Sequence, residues 1–558
     1  MEVDRPLHVQ SNGTVLLEVG HPDADAARGV LNRVAALIKS PEVVQTWRLT
    51  RLSLWDAAAR GLSAGEILDT LQTFTAHPLP AGLRGWVLET AARWGQLRLH
   101  RAEDEDDQLV LSAEDPALLD TLEGESTLQP LLSRGKTTGT RRVRVADRGA
   151  LKLALIRAGW PVLDQAGFED GDELPIGILD QHAGGNWSLR DYQSEAVEAF
   201  LHSSDGGGGS GVVALPCGAG KTIVGIGAMA RLGMKTLILC TNTTALRQWR
   251  DEIIQRTTLE PEQVGEYSGQ TKAVRPVTLS TYQTLTWRPS KGATPRHFAL
   301  FDRQRWGLVI YDEVHLLPAP VFRTVARLQA MRRLGLTATL IREDGREADV
   351  FALIGPKRYD LPWRELETRG WIAEARCVEV RVPLPRSMAF DYADAEDRQR
   401  HRLAATNPGK LAAIQRIVAR HPDEPTLIIG MYLDQLSTLS SALGAPLITG
   451  QTRQAERDAL FAAFRSGEER LLVLSRVGNF SVDLPDARVA IQVSGSWGSR
   501  QEEAQRLGRV LRPKRDARGA WFYSVVSQHT VEEDFSARRQ RFLAEQGYQY
   551  RIEVLETP

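Results

Sequence analysis

Residues 212–222 read VVALPCGAGKT, and 223–232 continue as IVGIGAMARL. An apolar β-branched run, a glycine loop and then a helical pattern form the context that a phosphate-binding loop requires. At Gly218, Ala219 and Gly220 the backbone N–H groups can turn toward phosphates, because the two glycines put no Cβ in the way. Lys221 would bring a positive charge to the β- and γ-phosphates of ATP. The Thr222 hydroxyl would hold Mg²⁺. The stretch departs from the GxxxxGK[ST] pattern at its first position, which is Leu215 here.

Downstream, LVIYDEVH (308–315) sets Asp312 and Glu313 at the end of a second apolar run. Adjacent acids are usually surface charges. At the end of a buried strand in an open α/β sheet they lie where ligands bind. Asp312 would hold Mg²⁺ through water, and Glu313 would orient and activate an attacking water. A third element, EEAQRLGRVLR (502–512), carries Gln505, Arg506, Gly508, Arg509 and Arg512. Arg509 and Arg512 are three apart and share a helix face. From a second lobe they could neutralise charge at the γ-phosphate, as arginine fingers do. Read alone, each of the three has a bland alternative: a chance turn, a pair of surface acids, a basic surface helix.

Apolar runs alternating with helical patterns from residue 186 onward predict an α/β protein. It would have two lobes built on parallel sheets. VVAL, TLILC, VTLS and LVIYD fit strands of the first lobe (186–365), and TLIIG, LLVLS, VAIQVS and FYSVVS strands of the second (366–558). SDGGGGSG (204–211) precedes a strand rather than following one and reads as a flexible surface loop. Residues 1–125 combine a strand at 14–19, helices at 54–61, 64–73 and 83–94, and a hairpin at 96–100 and 108–111. Three helices and a hairpin suggest a winged-helix-like module. The acidic turn EDEDD (103–107) would repel phosphates, so this module is expected to dock protein or pack on a lobe rather than read DNA. Residues 126–185 read as a small α/β unit.

The chain has 558 residues, which predicts several domains, and a net charge of −1, which is not the overall footprint of a nucleic-acid binder. Any DNA contact must then be local. Candidate patches are Arg141, Arg142, Arg144 and Arg148, then Arg509–Arg518, then Arg538, Arg539 and Arg541, with a solvated surface as the alternative for each. Three scattered cysteines argue against disulfides or a zinc site and fit a reducing, cytoplasmic setting. The start MEVDRPLHVQ shows no secretory signal, and no apolar run is long enough to span a membrane.

Taken together, residues 186–558 resemble a superfamily 2 helicase core, specifically the xeroderma pigmentosum group B (XPB) helicase family, which implies that the two parallel-sheet lobes are RecA-like. The strings that carry the resemblance are LRDYQ (189–193), LPCGAGKT, STYQTL (280–285), DEVH (312–315), LGLTATLIRED (334–344), VGNFSVDLP (477–485), QEEAQRLGRVLR (501–512) and FYSVVSQHTVEEDFSARRQRFLAEQGY (522–548). PLHVQSNGTVLLEV (6–19) is similar to the start of the family's N-terminal domain, and 126–185 to its damage-recognition domain. The resemblance implies ATP hydrolysis on DNA and 3′ to 5′ movement or unwinding, in excision repair or transcription-linked opening. A nuclease or other repair protein would be a partner. It places Arg190 and Gln193 at the adenine, Asp483 near the ribose, and Thr337 and Thr339 between nucleotide and DNA. Arg342, Glu343 and Asp344 would form the duplex-opening RED element, and a short thumb-like insertion of mixed charge would fall at 383–406. Two other readings keep the same nucleotide site: an ATP-gated clamp on damaged DNA that recruits partners without processive unwinding, and an RNA remodeller.

Overall fold

The computed structural model describes residues 4–39, 43–182, 185–202, 208–216, 218–290, 296–317, 331–338, 346–361, 365–366, 375–475, 487–494, 519–537 and 550–555. Near the N-terminus, β1 (Leu7–Val9), β2 (Thr14–Glu18), β3 (Ala36–Lys39) and β4 (Val44–Arg48) form an antiparallel sheet in the order β1-β2-β4-β3. Alternation along these strands buries Val15, Leu17, Leu37 and Trp47 against Leu31, Leu54, Leu71 and Val87 of four helices. Thr50 and Ser63 each begin a helix with a reciprocal capping box, which stops the preceding chain from continuing as coil.

A second sheet contains β5 (Leu97–Arg101), β6 (Gln108–Ala113), β7 (Ser133–Arg134), β8 (Thr140–Arg144) and β9 (Val162–Asp164) in the order β7-β8-β6-β5-β9. The hairpin expected to complete a winged helix in residues 1–125 is β5-β6, and it belongs to this sheet instead. β6 pairs with β8 and β5 with β9, burying Leu97, Leu99, Leu109 and Leu111 with Val143, Leu151 and Leu155. Period-2 alternation marks a strand without naming its partner, and here the partners lie beyond residue 125.

Of the arginines singled out in this unit, Arg141, Arg142 and Arg148 are largely buried and paired, and Arg144 pairs at the surface. Arg141 pairs with Asp120 at 2.5 Å and Glu123 at 2.8 Å, Arg142 with Asp104 at 2.6 Å, and Arg144 with Asp147 at 2.6 Å. The acidic turn therefore serves as counter-charge to Arg142, which holds the Asp104 carboxyl well below the usual carboxylate range. Arg148 is buried and grips Asp164 with both arms, at 3.0 and 2.7 Å. This set is not an open DNA patch. The basic runs 509–518 and 538–541 lie outside the described residues.

After the short hairpin β10 (Gln181–His182) and β11 (Gly185–Asn186), the first lobe consists of β12 (Ser210–Ala214), β13 (Thr236–Cys240), β14 (Val264–Tyr267), β15 (Val277–Thr281), β16 (Leu308–Asp312), β17 (Arg332–Thr337) and β18 (Lys357–Asp360). These strands are parallel in the order β14-β15-β13-β16-β17-β12-β18. Helices cover both faces, which is why β12, β13 and β15 are buried at every residue. The loop reading of 204–211 holds only in part. Gly209 donates to the Phe200 carbonyl at 2.7 Å and Ser210 already opens β12, while 203–207 lie outside the described residues.

The second lobe repeats the plan with β19 (Ala375–Val382), β20 (Thr426–Gly430), β21 (Leu447–Ile448), β22 (Leu471–Ser475), β23 (Val489–Gln492), β24 (Ala520–Ser527) and β25 (Tyr550–Val554), in the order β21-β22-β20-β23-β24-β19-β25. The stretch 383–406 is a pair of helices, Arg386–Asp394 and Asp397–Ala405, with Phe390 86% exposed. Among the described residues no helix is long and apolar enough to cross a membrane.

The N-terminal modules are bonded to the first lobe. Phe351, in the helix Glu347–Leu353, meets the Trp94 ring edge-on at 5.7 Å and the Trp55 ring at 6.3 Å. Asp56 accepts from the Lys357 backbone N–H at 2.8 Å. Burial, outweighing Lys357 and Arg60, lifts the Asp56 carboxyl above its ordinary value. The folded chain then holds more protons than the unfolded one as pH rises past that ordinary value, so this carboxyl costs stability with rising pH. Asp56→Asn keeps an acceptor for Lys357 and removes the charge. Thermal unfolding followed from about pH 4 to about pH 8 should place the variant level with the parent at the acid end and at or above it at the alkaline end. A variant that melts below its parent at the alkaline end would mean that the charge is stabilised by Lys357 and Arg60 after all.

Candidate nucleotide site

β12, β17 and β16 are neighbours, and their C-terminal ends meet at one sheet edge. Ala214 lies opposite Thr337, and Leu336 opposite Asp312. The phosphate loop leaves β12 there, fastened by the Leu215 N–H donating to the Thr337 carbonyl at 2.9 Å. Gly218 and Gly220 take φ of +82° and +79°, which side chains with a Cβ rarely adopt. A Cβ on Gly220 would also stand 2.4 Å from Gln193 Nε2. Lys221 and Thr222 then open the helix Lys221–Leu232.

The loop is braced from behind by LRDYQ. Gln193 Nε2 and the Tyr192 hydroxyl both donate to the Ala219 carbonyl, at 3.0 and 2.8 Å. Arg190 donates to the Tyr192 hydroxyl at 3.0 Å and precedes the helix Asp191–Leu201. Gln193 therefore sits directly against the phosphate loop, and Arg190 is joined to it through Tyr192.

Across the edge, Lys221 Nζ lies 3.3 Å from Glu313 Oε1 and 3.4 Å from the Leu215 carbonyl oxygen. Glu313 has φ of +50°, a left-handed backbone that ends β16 abruptly. Its carboxyl is held below the ordinary range: burial opposes its charge, but Lys221, His315 and the Ala338 N–H outweigh that opposition. Asp312 moves the other way. Burial first, and then the neighbouring Glu313 charge, push it up, against the pull of Lys221 and a 3.1 Å bond from the Trp249 indole. Two adjacent carboxylates thus stand in opposite regimes. His315 Nδ1 stands 2.8 Å from the Thr337 hydroxyl and 3.5 Å from Glu313, linking the end of β17 to the acid pair.

Lys221, Thr222, Asp312, Glu313, Thr337, Arg190, Gln193 and the glycines are thus all located at or beside one sheet edge. Thr339, Arg342, Glu343, Asp344, Asp483, Gln505, Arg509 and Arg512 lie outside the described residues. Sequence reasoning missed Tyr192, Trp249 and His315. Tyr192 and His315 stand inside the quoted strings. Trp249 stands on the helix Thr243–Arg256, where its spacing reads as core.

Family models match the same lobes. The one described as ERCC3/RAD25/XPB C-terminal helicase matches residues 366–556, and the one described as type III restriction enzyme, res subunit, matches 186–342. A third, helicase conserved C-terminal domain, matches 7–136. The chain is 54% identical over 549 residues to the DNA 3′-5′ helicase XPB of Kineococcus radiotolerans, covering 98% of this chain and 96% of that protein. It is 53% identical to the DNA 3′-5′ helicase XPB of Mycobacterium tuberculosis, covering 98% of each. To the general transcription and DNA repair factor IIH helicase/translocase subunit XPB/SSL2 of Saccharomyces cerevisiae it is 30% identical, over 98% of this chain and 72% of that one. With its phosphate loop, acid pair and two parallel-sheet lobes, the chain belongs to the XPB family of DNA helicases.

Proposed function

We propose that this protein is a DNA-dependent ATPase that translocates on or opens duplex DNA with 3′ to 5′ polarity, in excision repair or transcription-linked opening. The observation that carries the reading is the Lys221–Glu313 pair at 3.3 Å, set at the strand ends beside the phosphate loop. ATP phosphates would compete with Glu313 for the Lys221 ammonium. Once Lys221 turns to the phosphates, Glu313 loses the partner that most lowers its pKa, and burial then makes the freed carboxylate a stronger base for the attacking water. Arg190 and Gln193 would position the adenine, and Asp483 the ribose. Gln505, Arg509 and Arg512 would complete the site from the second lobe, where two guanidiniums stabilise charge developing on the γ-phosphate.

Mg²⁺ fits the donors available. Thr222 and Asp312 would offer hard oxygen donors, and among the described residues no three His, Cys, Asp or Glu side chains are grouped so as to hold a metal by themselves. One or two protein ligands, with the rest from phosphates and water, is how Mg²⁺ is usually held beside a nucleotide. When bound there it would offset charge on the phosphate oxygens and favour the ionised form of Asp312, which burial and Glu313 otherwise oppose.

In this reading Thr337, whose hydroxyl stands 2.8 Å from His315, and Thr339 relay the state of the nucleotide to Arg342, Glu343 and Asp344. The domain scheme of N-terminal, damage-recognition and two motor units, with helices at 383–406 as a short thumb, belongs to the same proposal. So do a nuclease or other repair protein as partner and a cytoplasmic location. The primary test is ATP turnover with no DNA and with single-stranded, duplex and damaged DNA, run beside a strand-displacement assay. DNA-independent turnover would overturn the reading, and turnover without displacement would favour a clamp.

At saturating DNA, Lys221→Ala and Glu313→Gln should each lower turnover by about 10²-fold or more, and Glu313→Gln should still bind ATP. Near-parental turnover in Glu313→Gln would remove its assigned role. Replacing Arg342, Glu343 and Asp344 together with alanine should spare most DNA-stimulated ATPase activity and reduce strand separation, both read at one salt concentration. Intact unwinding in that variant would leave the triplet as a solvated turn.

A further inference from the structure

At the outer edge of the first lobe, β15 ends at Thr281 and a short helix, Tyr282–Thr286, delivers Trp287 to the surface, where 48% of it is exposed. A single exposed apolar side chain needs no explanation. The surroundings of this one are what set it apart. Its ring lies 6.0 Å from that of His297, tilted by 47°. His297 in turn stands edge-on to Tyr267 at 5.6 Å, and the Tyr267 hydroxyl is 3.0 Å from His297 Nδ1. Lys272 Nζ is 4.6 Å from the centre of the Tyr267 ring. The result is a row of three aromatic rings with an ammonium at its far end, while Arg288 and Arg296 are at least partly exposed beside it.

Burial, then Lys272 and Arg296, hold the His297 imidazole below its ordinary value, so the charges felt by this ring from the described residues are cationic. His297 is therefore a neutral ring at pH 7, which favours packing against another flat apolar surface. Aromatic faces flanked by cations are the elements with which proteins hold single-stranded nucleic acid: rings stack on bases and cations follow the phosphates. The row also stands at the C-terminal ends of β14 and β15, the same sheet edge that carries the phosphate loop and Asp312.

We propose that Trp287, backed by His297 and Tyr267 and flanked by Lys272, is a stacking site for an unpaired DNA base. The inference rests on the reading of this chain as a DNA motor and deepens it by naming where a separated strand touches the first lobe. An unpaired base is the occupant because bases within a duplex already stack on their neighbours and offer only edges and backbone to a side chain. Every base has a π-face, so the site would be indifferent to sequence.

The test uses the full chain and two labelled thymidine oligonucleotides of about 12 nucleotides, one ordinary and one with abasic sugars replacing its central nucleotides. Anisotropy titrations at fixed salt compare the parent with Trp287→Ala and Trp287→Phe. Duplex-stimulated ATPase activity and thermal unfolding of each protein are measured alongside. Trp287→Ala should bind the ordinary oligonucleotide roughly 5- to 100-fold more weakly than the parent, as loss of one stacked base implies. Trp287→Phe should recover most of that loss, and the parent and Trp287→Ala should bind the abasic strand alike. A Trp287→Ala protein that binds the ordinary strand as the parent does overturns the stacking site. So does one weakened equally on both strands, because its loss would not depend on a base. Failure of the motor reading looks different: the parent itself would bind neither DNA and show no duplex-stimulated turnover.

Discussion

Burial of two consecutive carboxylates at the end of a strand is the constraint on which the first lobe turns. Asp312 and Glu313 end β16 half-buried beside each other, and two like charges so placed do not readily both ionise without a cation within reach. The cation comes from Lys221, two strands away in the sheet, at 3.3 Å. That distance requires β16, β17 and β12 to be neighbours and the loop after β12 to fold back on the sheet edge. Gly218, Gly220 and the bonds from Tyr192 and Gln193 to Ala219 secure the fold-back. A change in any of these would leave a buried charge unbalanced, which costs more than the loss of an ordinary contact.

Elsewhere the same requirement is met by local pairing. In the second sheet Arg141, Arg142, Arg144 and Arg148 each find an acid within 3 Å. In the second lobe the buried Lys410 finds Glu532 at 2.7 Å. Arginines paired in this way add little long-range field to a chain whose net charge is −1. Attraction of a polyanion must then come from short stretches of surface, a different arrangement from that of proteins with one broad basic face.

How much was legible follows from what each stretch has to bury. TLILC, LVIYD, TLIIG and LLVLS are central parallel strands, covered on both faces, and their unbroken apolar runs mark β13, β16, β20 and β22 to the residue. β17 and β19 gave no such run. β17 begins with Arg332 and Arg333, the latter fully buried with its Nε donating to the Leu353 carbonyl at 2.8 Å. β19 carries a buried Glu379 held by Arg381 and Ser536. Polar side chains whose partners are distant in sequence hide a strand from pattern reading. The same holds for the hairpin at 97–113, which was visible as a hairpin but not as part of the second sheet. In the nucleotide site, Lys221, Asp312 and Glu313 could be named because loop and acids each follow a strand. His315 and Trp249 could not, because their roles depend on Thr337 and Asp312 arriving from other strands.

The ring contacts of Phe351 with Trp55 and Trp94, together with the Asp56–Lys357 bond, bear on how far this machine can be divided. A motor core cut out at residue 186 would keep both of its sheets. It would also carry a bare aromatic on the helix Glu347–Leu353 and a backbone donor at Lys357 with its partner gone. The first lobe has therefore specialised to its N-terminal neighbours. It is not an interchangeable cassette, and a graft of these lobes onto another protein would have to bring the residues before 186 or replace the surface they cover.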